Sequence, residues 1–207
     1  LSPYRMHVAV AVDDRLRPPP VSAEEIASYL VDRIDATLIP LWQADVVVVD
    51  PGQLAASSGG LAVRDYEAIP ESLQLYDKLQ TLLLEATATG WRLKCREYDV
   101  YARRWGTLAE LPARQGSFLK EHCFQTLLRV FAPQATIDAD KETPGLVRLT
   151  FRGVDLPRRD QGVEFVAPGQ VYLPLLRRIS RTGDLVGGVV PVVPWTYLTV
   201  AGPVEAG

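Results

Sequence analysis

Residues that do covalent or metal chemistry are scarce in this chain. Among 207 residues there are two cysteines, Cys95 and Cys123, two histidines, His7 and His122, and one methionine. Two cysteines allow one disulfide at most, so the chain is no disulfide scaffold and has to bury an apolar core of its own. Both lie in apolar patterns, which favours two buried free thiols over a single bridge and leaves the redox compartment open. His7 falls in a strand pattern, and His122 is adjacent to Cys123 on a helical one. Neighbours on a helix point about 100° apart, so a Cys-His nucleophile is not formed there. No HExxH, paired CxxC, GxSxG, P-loop or GxGxxG occurs, and Gly183, Gly187 and Gly188 precede no helix that would present amides to a phosphate. These absences weigh against an enzyme, and no cofactor is expected. Also missing is a basic segment followed by an apolar run at the start: the first residue is Leu1, and a signal peptide is expected to have been removed.

What is present is 47% hydrophobic and 23% charged residues, the balance of a folded globular protein. Residues 185–204, LVGGVVPVVPWTYLTVAGPV, carry no charge at all. Their three glycines and three prolines make a membrane-spanning helix the poorer reading, and no transmembrane helix is expected. A strand at a sheet edge fits better, with Trp195, Tyr197 and Thr199 on one face and Leu198 and Val200 on the other. It either closes the chain's own barrel or sheet or packs on another subunit. Net charge is −3, divided as −7 over residues 1–88 and +4 over residues 89–207. Opposite halves of two copies would suit a head-to-tail ring or filament, while solvated faces of one monomer account for the same count.

Along the chain, Tyr4 to Val12 alternates as a first strand ending at Asp13 and Asp14. Ser22 and Glu25 match a capping box, followed by apolar residues at helical spacing up to Pro40. The valine-rich Ala44 to Val49 reads as a buried strand stopped by Asp50-Pro51-Gly52, completing a β-α-β unit with a right-handed crossover. Lys78 to Thr87 and a strand beginning near Gly90 form an antiparallel hairpin. In its second strand Trp91, Leu93 and Cys95 face inward and Arg92, Lys94 and Arg96 outward, with a partner strand over about Arg104 to Leu111. Ser117 caps a second helix running to Pro133. After it come short strands at Ala135 to Ala139, Leu146 to Val154, Val163 to Val166, Gln170 to Leu176 and Val189 to Val200. The expected fold is therefore α+β: an α/β domain over residues 1–112, then a helix and a small C-terminal β-barrel or curled sheet over 113–207.

Three constellations carry candidate chemistry. Asp13 and Asp14 after the first strand and Asp50 after the second sit where carboxylates gather a divalent metal. The layout resembles a response-regulator receiver superficially, but only one helix fits between Asp14 and Asp50; acidic turn residues are the ordinary explanation. Arg92, Lys94, Arg96 and Arg104, interleaved with Tyr98, Tyr101 and Trp105, form a possible basic binding face for nucleic acid. Glu97, Asp99 and the acidic first half oppose the field such binding needs, so nucleic acid is not the expected partner. The third is the neutral terminal strand with Arg177 and Arg178 beside it.

The hairpin Trp91 to Asp99 running to Arg104-Trp105-Gly106, and Gly169-Gln170-Val171-Tyr172 leading to Val193-Pro194-Trp195-Thr196-Tyr197-Leu198, resemble segments of uncharacterised secreted proteins of planctomycete-type bacteria. In architecture the opening layout is similar to periplasmic modules of curli-secretion and flagellar-ring assembly proteins. The resemblance implies a processed protein of the periplasm or outer envelope, with a cytoplasmic location left open. The expected function is a non-enzymatic structural or assembly module, a homo-oligomer or the partner of another envelope protein. Trp195, Tyr197, Val200, Arg177 and Arg178 are its expected contact residues. The alternatives are a metal-dependent enzyme using the Asp cluster and a nucleic-acid-binding module.

Overall fold

The structure is a computed structural model, and it describes residues 2–14, 18–52, 54, 70–113, 118–139, 145–153, 156, 159, 164–182, 185–187 and 190–201. Its centre is a six-stranded mixed sheet. The valine-rich alternation near the start forms β1 (Tyr4–Asp13), flanked by two parallel neighbours, β2 (Trp42–Val48) and β3 (Lys78–Thr87). The hairpin expected around Gly90 forms β4 (Gly90–Asp99), antiparallel to β3 over its whole length, with Lys78 opposite Asp99 and Thr87 opposite Gly90. The single partner strand expected for β4 is divided into β5 (Arg104–Trp105) and β6 (Ala109–Pro112). Arg103 enters this segment in the left-handed region at φ 53, and the Gly106 N–H reaches the Glu97 carbonyl at 2.8 Å, so the chain bends between two short ladders.

Between β1 and β2 runs α1 (Ala23–Thr37), whose start follows from its sequence. Ser22 accepts from the Glu25 N–H at 3.1 Å while the Glu25 carboxylate accepts from the Ser22 N–H at 2.9 Å, satisfying two amides the helix leaves open. The second helix, α2 (Leu119–Val130), lies beside α1 and packs against β4; Ser117, its expected cap, is outside the described residues. Tyr29 donates to Glu121 at 2.6 Å and Arg33 reaches the same oxygen at 3.1 Å, joining the helices. Between helices and sheet lies the main core. Met6, Val8 and Val10 of β1, Leu82 and Leu84 of β3, and Leu93 and Cys95 of β4 meet Ile26, Leu30 and Ile34 of α1 and Cys123, Phe124 and Leu127 of α2. Each large apolar side chain buried there contributes about 1.5–3 kcal/mol before entropy is counted. The opposite sheet face is covered more thinly, by Leu54 over Ala9, Ala11 and Leu83. β2 departs from its expected burial: Gln43, Asp45 and Val48 are exposed, because β2 is the outermost strand of the sheet.

The C-terminal barrel or curled sheet is corrected by the described residues, which close no barrel. They form two separate two-stranded ladders, β7 (Ala135–Ala139) with β8 (Val147–Phe151) and β9 (Val171–Tyr172) with β10 (Leu198–Thr199). Between the last two, the described residues make isolated bridges, Leu175 with Val192 and Ile179 with Leu185. Of the strand expected over Val189 to Val200, Val189 lies outside the described residues, and the rest shrinks to Val192 and Leu198–Thr199. The one expected at Val163 to Val166 lies partly outside the described residues and is not strand over 164–166. The reason is proline. Pro168, Pro174, Pro191 and Pro194 offer no N–H to a ladder, and Gly169, Gly187 and Trp195 turn the backbone at positive φ. We call residues 164–201 the arm. It is anchored at Phe165, whose ring lies 4.9 Å from Phe131 and 6.2 Å from Trp42.

Candidate functional site

The most concentrated polar cluster is buried at one end of the β3–β4 hairpin. Lys78 is fully buried and donates to Glu97 Oε1 at 3.0 Å, to Asp99 Oδ2 at 2.7 Å and to the Ala132 carbonyl at 2.6 Å. Glu97 also accepts from Gln80 at 2.8 Å and from the Ala132 N–H at 3.1 Å, and Asp99 accepts from Gln134 at 2.9 Å. Tyr4 adds its hydroxyl, which accepts from the Gln134 N–H at 2.8 Å. Burial works against the Lys78 ammonium, but the two carboxylates outweigh it and hold its pKa above the ordinary lysine value. The cluster ties the segment after α2 to the sheet, and the adjoining cleft, lined by Tyr4, Phe131 and Phe165 among others, has only about 20 Å³ of free volume. Its arrangement is a clamp: the single ammonium is shared between two carboxylates.

The two thiols offer no nucleophile. Both are free and buried in the main core; burial pushes the Cys123 thiol up to about 12 and Cys95 well above its usual value. His7 is half-buried against Tyr76, ring centroids 5.1 Å apart, and burial lowers its pKa while the Asp45 charge pulls the other way. His122 lies on α2.

Asp13 is buried, and Asp14 and Asp50 are exposed; Asp50 caps its own turn, accepting from the Gly52 N–H at 2.7 Å. They do not converge: among the described residues no group of three or more His, Cys, Asp and Glu side chains is placed to hold a metal ion. Arg92, Lys94 and Arg96 alternate along β4, while Arg104 lies on β5. Arg92 pairs with Glu110, Lys94 with Glu85 at 2.9 Å, and Arg96 spends its Nε on the Gly106 carbonyl at 2.8 Å while stacking on Trp105. Arg104 is exposed. Glu85 and Glu110 are partners that neighbouring-residue reading misses, because each comes from an adjacent strand.

On the arm, Trp195 is fully exposed and Tyr197 is 68% exposed, while Val200 is half-buried with its backbone paired to Gly169 and Gln170. Arg178 is exposed. Arg177 instead lays its guanidinium 3.6 Å from the ring centre of Tyr101, pinning the arm to the loop after β4. The structure adds residues the sequence reading did not single out: Val171, Leu173, Leu176, Ile179 and Val186 are each 46–61% exposed. Their signal was present in the sequence as an apolar series interrupted by Pro174.

No protein-family model matches the chain, and no curated protein matches it in sequence, so no sequence match accompanies the resemblance to planctomycete-type secreted proteins. Among solved structures it is similar to a lipoprotein from Neisseria meningitidis, with a TM-score of 0.30, 13% identity, and 61% of this chain and 95% of that one covered. It is also similar to TolB from Acinetobacter baumannii, with a TM-score of 0.37 and 11% identity over 95% of this chain, which spans 50% of TolB's length.

Proposed function

We propose that the chain is a non-enzymatic interaction module of a bacterial envelope complex, working through its C-terminal arm by oligomerisation or partner binding. The observation that carries this reading is the exposure of Trp195 and Tyr197 together with the apolar side chains from Val171 to Val186. Aromatic side chains standing in water at the tip of a turn are the residue type that dominates protein interfaces, because each brings a large rigid contact area at small entropic cost. Trp195 in addition adopts φ 59, a conformation that disfavours a bulky residue and places the indole clear of its own fold. The buried clamp supports the same reading, since its charges are used up in holding the fold together. The envelope placement rests on the sequence resemblance alone.

The test is Tyr197→Asp, followed by light scattering across a concentration range beside circular dichroism. The expected result is loss of the assembly with an unchanged spectrum and melting temperature. An assembly of unchanged mass would count against the arm as the contact surface.

A further inference from the structure

β2 is an open edge. In a parallel ladder successive residues direct their N–H and C=O groups to opposite sides. The Val49 N–H donates to the Val10 carbonyl at 2.9 Å and the Leu41 carbonyl accepts from Tyr4, so odd-numbered residues face β1. Ala44, Val46 and Val48 consequently turn their backbone groups outward, and among the described residues no strand pairs with that side. Such an edge is a template for another strand. Among the described residues a second unpaired edge lies on the arm. With the Val200 N–H bonded to the Gln170 carbonyl, alternation along the antiparallel ladder turns the backbone of Val171 away from β10, and its side chain is 61% exposed.

Charge says which edge meets which. The β2 edge is flanked by two exposed carboxylates, Asp45, which accepts from the Tyr76 hydroxyl at 2.6 Å, and Asp50, which accepts from the Gly52 N–H at 2.7 Å, in the half of the chain carrying −7. Beyond β9 come the exposed Arg178 and Arg181, in the half carrying +4. Pairing two β2 edges with each other would bring like charges together across the new ladder, which opposes a symmetric contact. Resting on the reading of the arm as the contact surface, we propose that the β2 edge receives β9 from a second copy of this chain, so that copies join head to tail. A contact of this kind leaves one free edge at each end and grows into a ring or filament rather than stopping at two.

The experiment uses two variants of the whole chain. Val46→Pro removes an outward N–H from the β2 edge and leaves the bonds to β1 intact; Val171→Pro does the same to β9. Circular dichroism and melting curves establish that each is folded. By light scattering the native chain should form species larger than a dimer that grow with concentration, each variant alone should be monomeric, and an equimolar mixture should stop at a heterodimer, because one usable edge of each kind remains. Should Val46→Pro fail to fold, Asp45→Arg and Arg178→Glu replace it: each alone should weaken association about tenfold, and the double variant should restore it. A native chain monomeric at every concentration, a mixture that stays monomeric, or charge variants without effect would overturn the inference. Assembly lost in Tyr197→Asp but unchanged in Val46→Pro would retain the arm as a contact surface and dismiss β2 as its receptor.

Discussion

Lys78 shows how much one side chain can decide. Its ammonium is closed in by Glu97, Asp99 and the Ala132 carbonyl, so removing it strands two carboxylates in the interior. Lys78→Met should lower stability in urea unfolding by about 3–5 kcal/mol, the cost of leaving a buried charge unpaired, and adding Glu97→Gln should recover part of it. The pH dependence has a definite sign. Because the folded-state pKa lies above the ordinary 10.5, the contribution of Lys78 is complete below that value and is lost as pH rises through the higher one. The native protein should therefore lose melting temperature in alkali more steeply than Lys78→Met, and parallel curves would show that the clamp contributes nothing. The thiols give a second check: with Cys123 pushed up to about 12, neither cysteine should react with a thiol reagent at pH 8 until denaturant is added. The clamp was partly legible in the sequence. A hairpin turning at Gly90 sets Lys78 opposite Asp99 and Gln80 opposite Glu97, and Glu97 shares the inward parity of Trp91, Leu93 and Cys95. What no sequence pattern gives is the Ala132 and Gln134 backbone arriving from beyond α2.

Elements whose signals are local were readable, and those that depend on distant partners were not. The Ser22–Glu25 pair announces α1, and the structure forms both of its hydrogen bonds. Ser22→Ala should accordingly cost about 1 kcal/mol, measured as a shift in the urea midpoint at constant slope; a shift within error would mean that packing alone holds the helix start. The Gly90 turn was equally plain, and β3 has the bounds its pattern gives. By contrast the alternating residues of the arm satisfy a strand pattern without making a sheet. Pro174 and Pro191 flank the Leu175–Val192 bridge, so the ladder on either side cannot extend. Gly153 illustrates the remaining difficulty. It adopts φ +76 just after β8, and a Cβ there would run into the Leu41 side chain, a contact more than a hundred residues away in sequence.

At the scale of the whole molecule, a well-knit sheet with two helices carries a lightly bonded arm. The sheet has continuous ladders, a shared core and the Lys78 clamp; the arm has short ladders and isolated bridges, and is held at Phe165, at Tyr172, whose ring lies 5.3 Å from Phe151, at Arg177, and by the buried Val166 and Val190. Stability is therefore unevenly distributed, and amide exchange should report it. Amides of β1, β3 and β4 should exchange last, at the rate of global unfolding, while those of residues 171–199 exchange by local release of the arm. Phe165→Ala removes the contact with Phe131 and Trp42 and should speed exchange in the arm about tenfold or more while leaving the ladder of β1 with β3 nearly as slow as before. The consequence for function is directional. Local release of the arm would hand its exposed tryptophan, tyrosine and β9 edge to a partner without unsettling the sheet. Equal protection of arm and sheet in the native protein would instead mean that the two unfold together, and the arm would then have no freedom to act as a separate contact element.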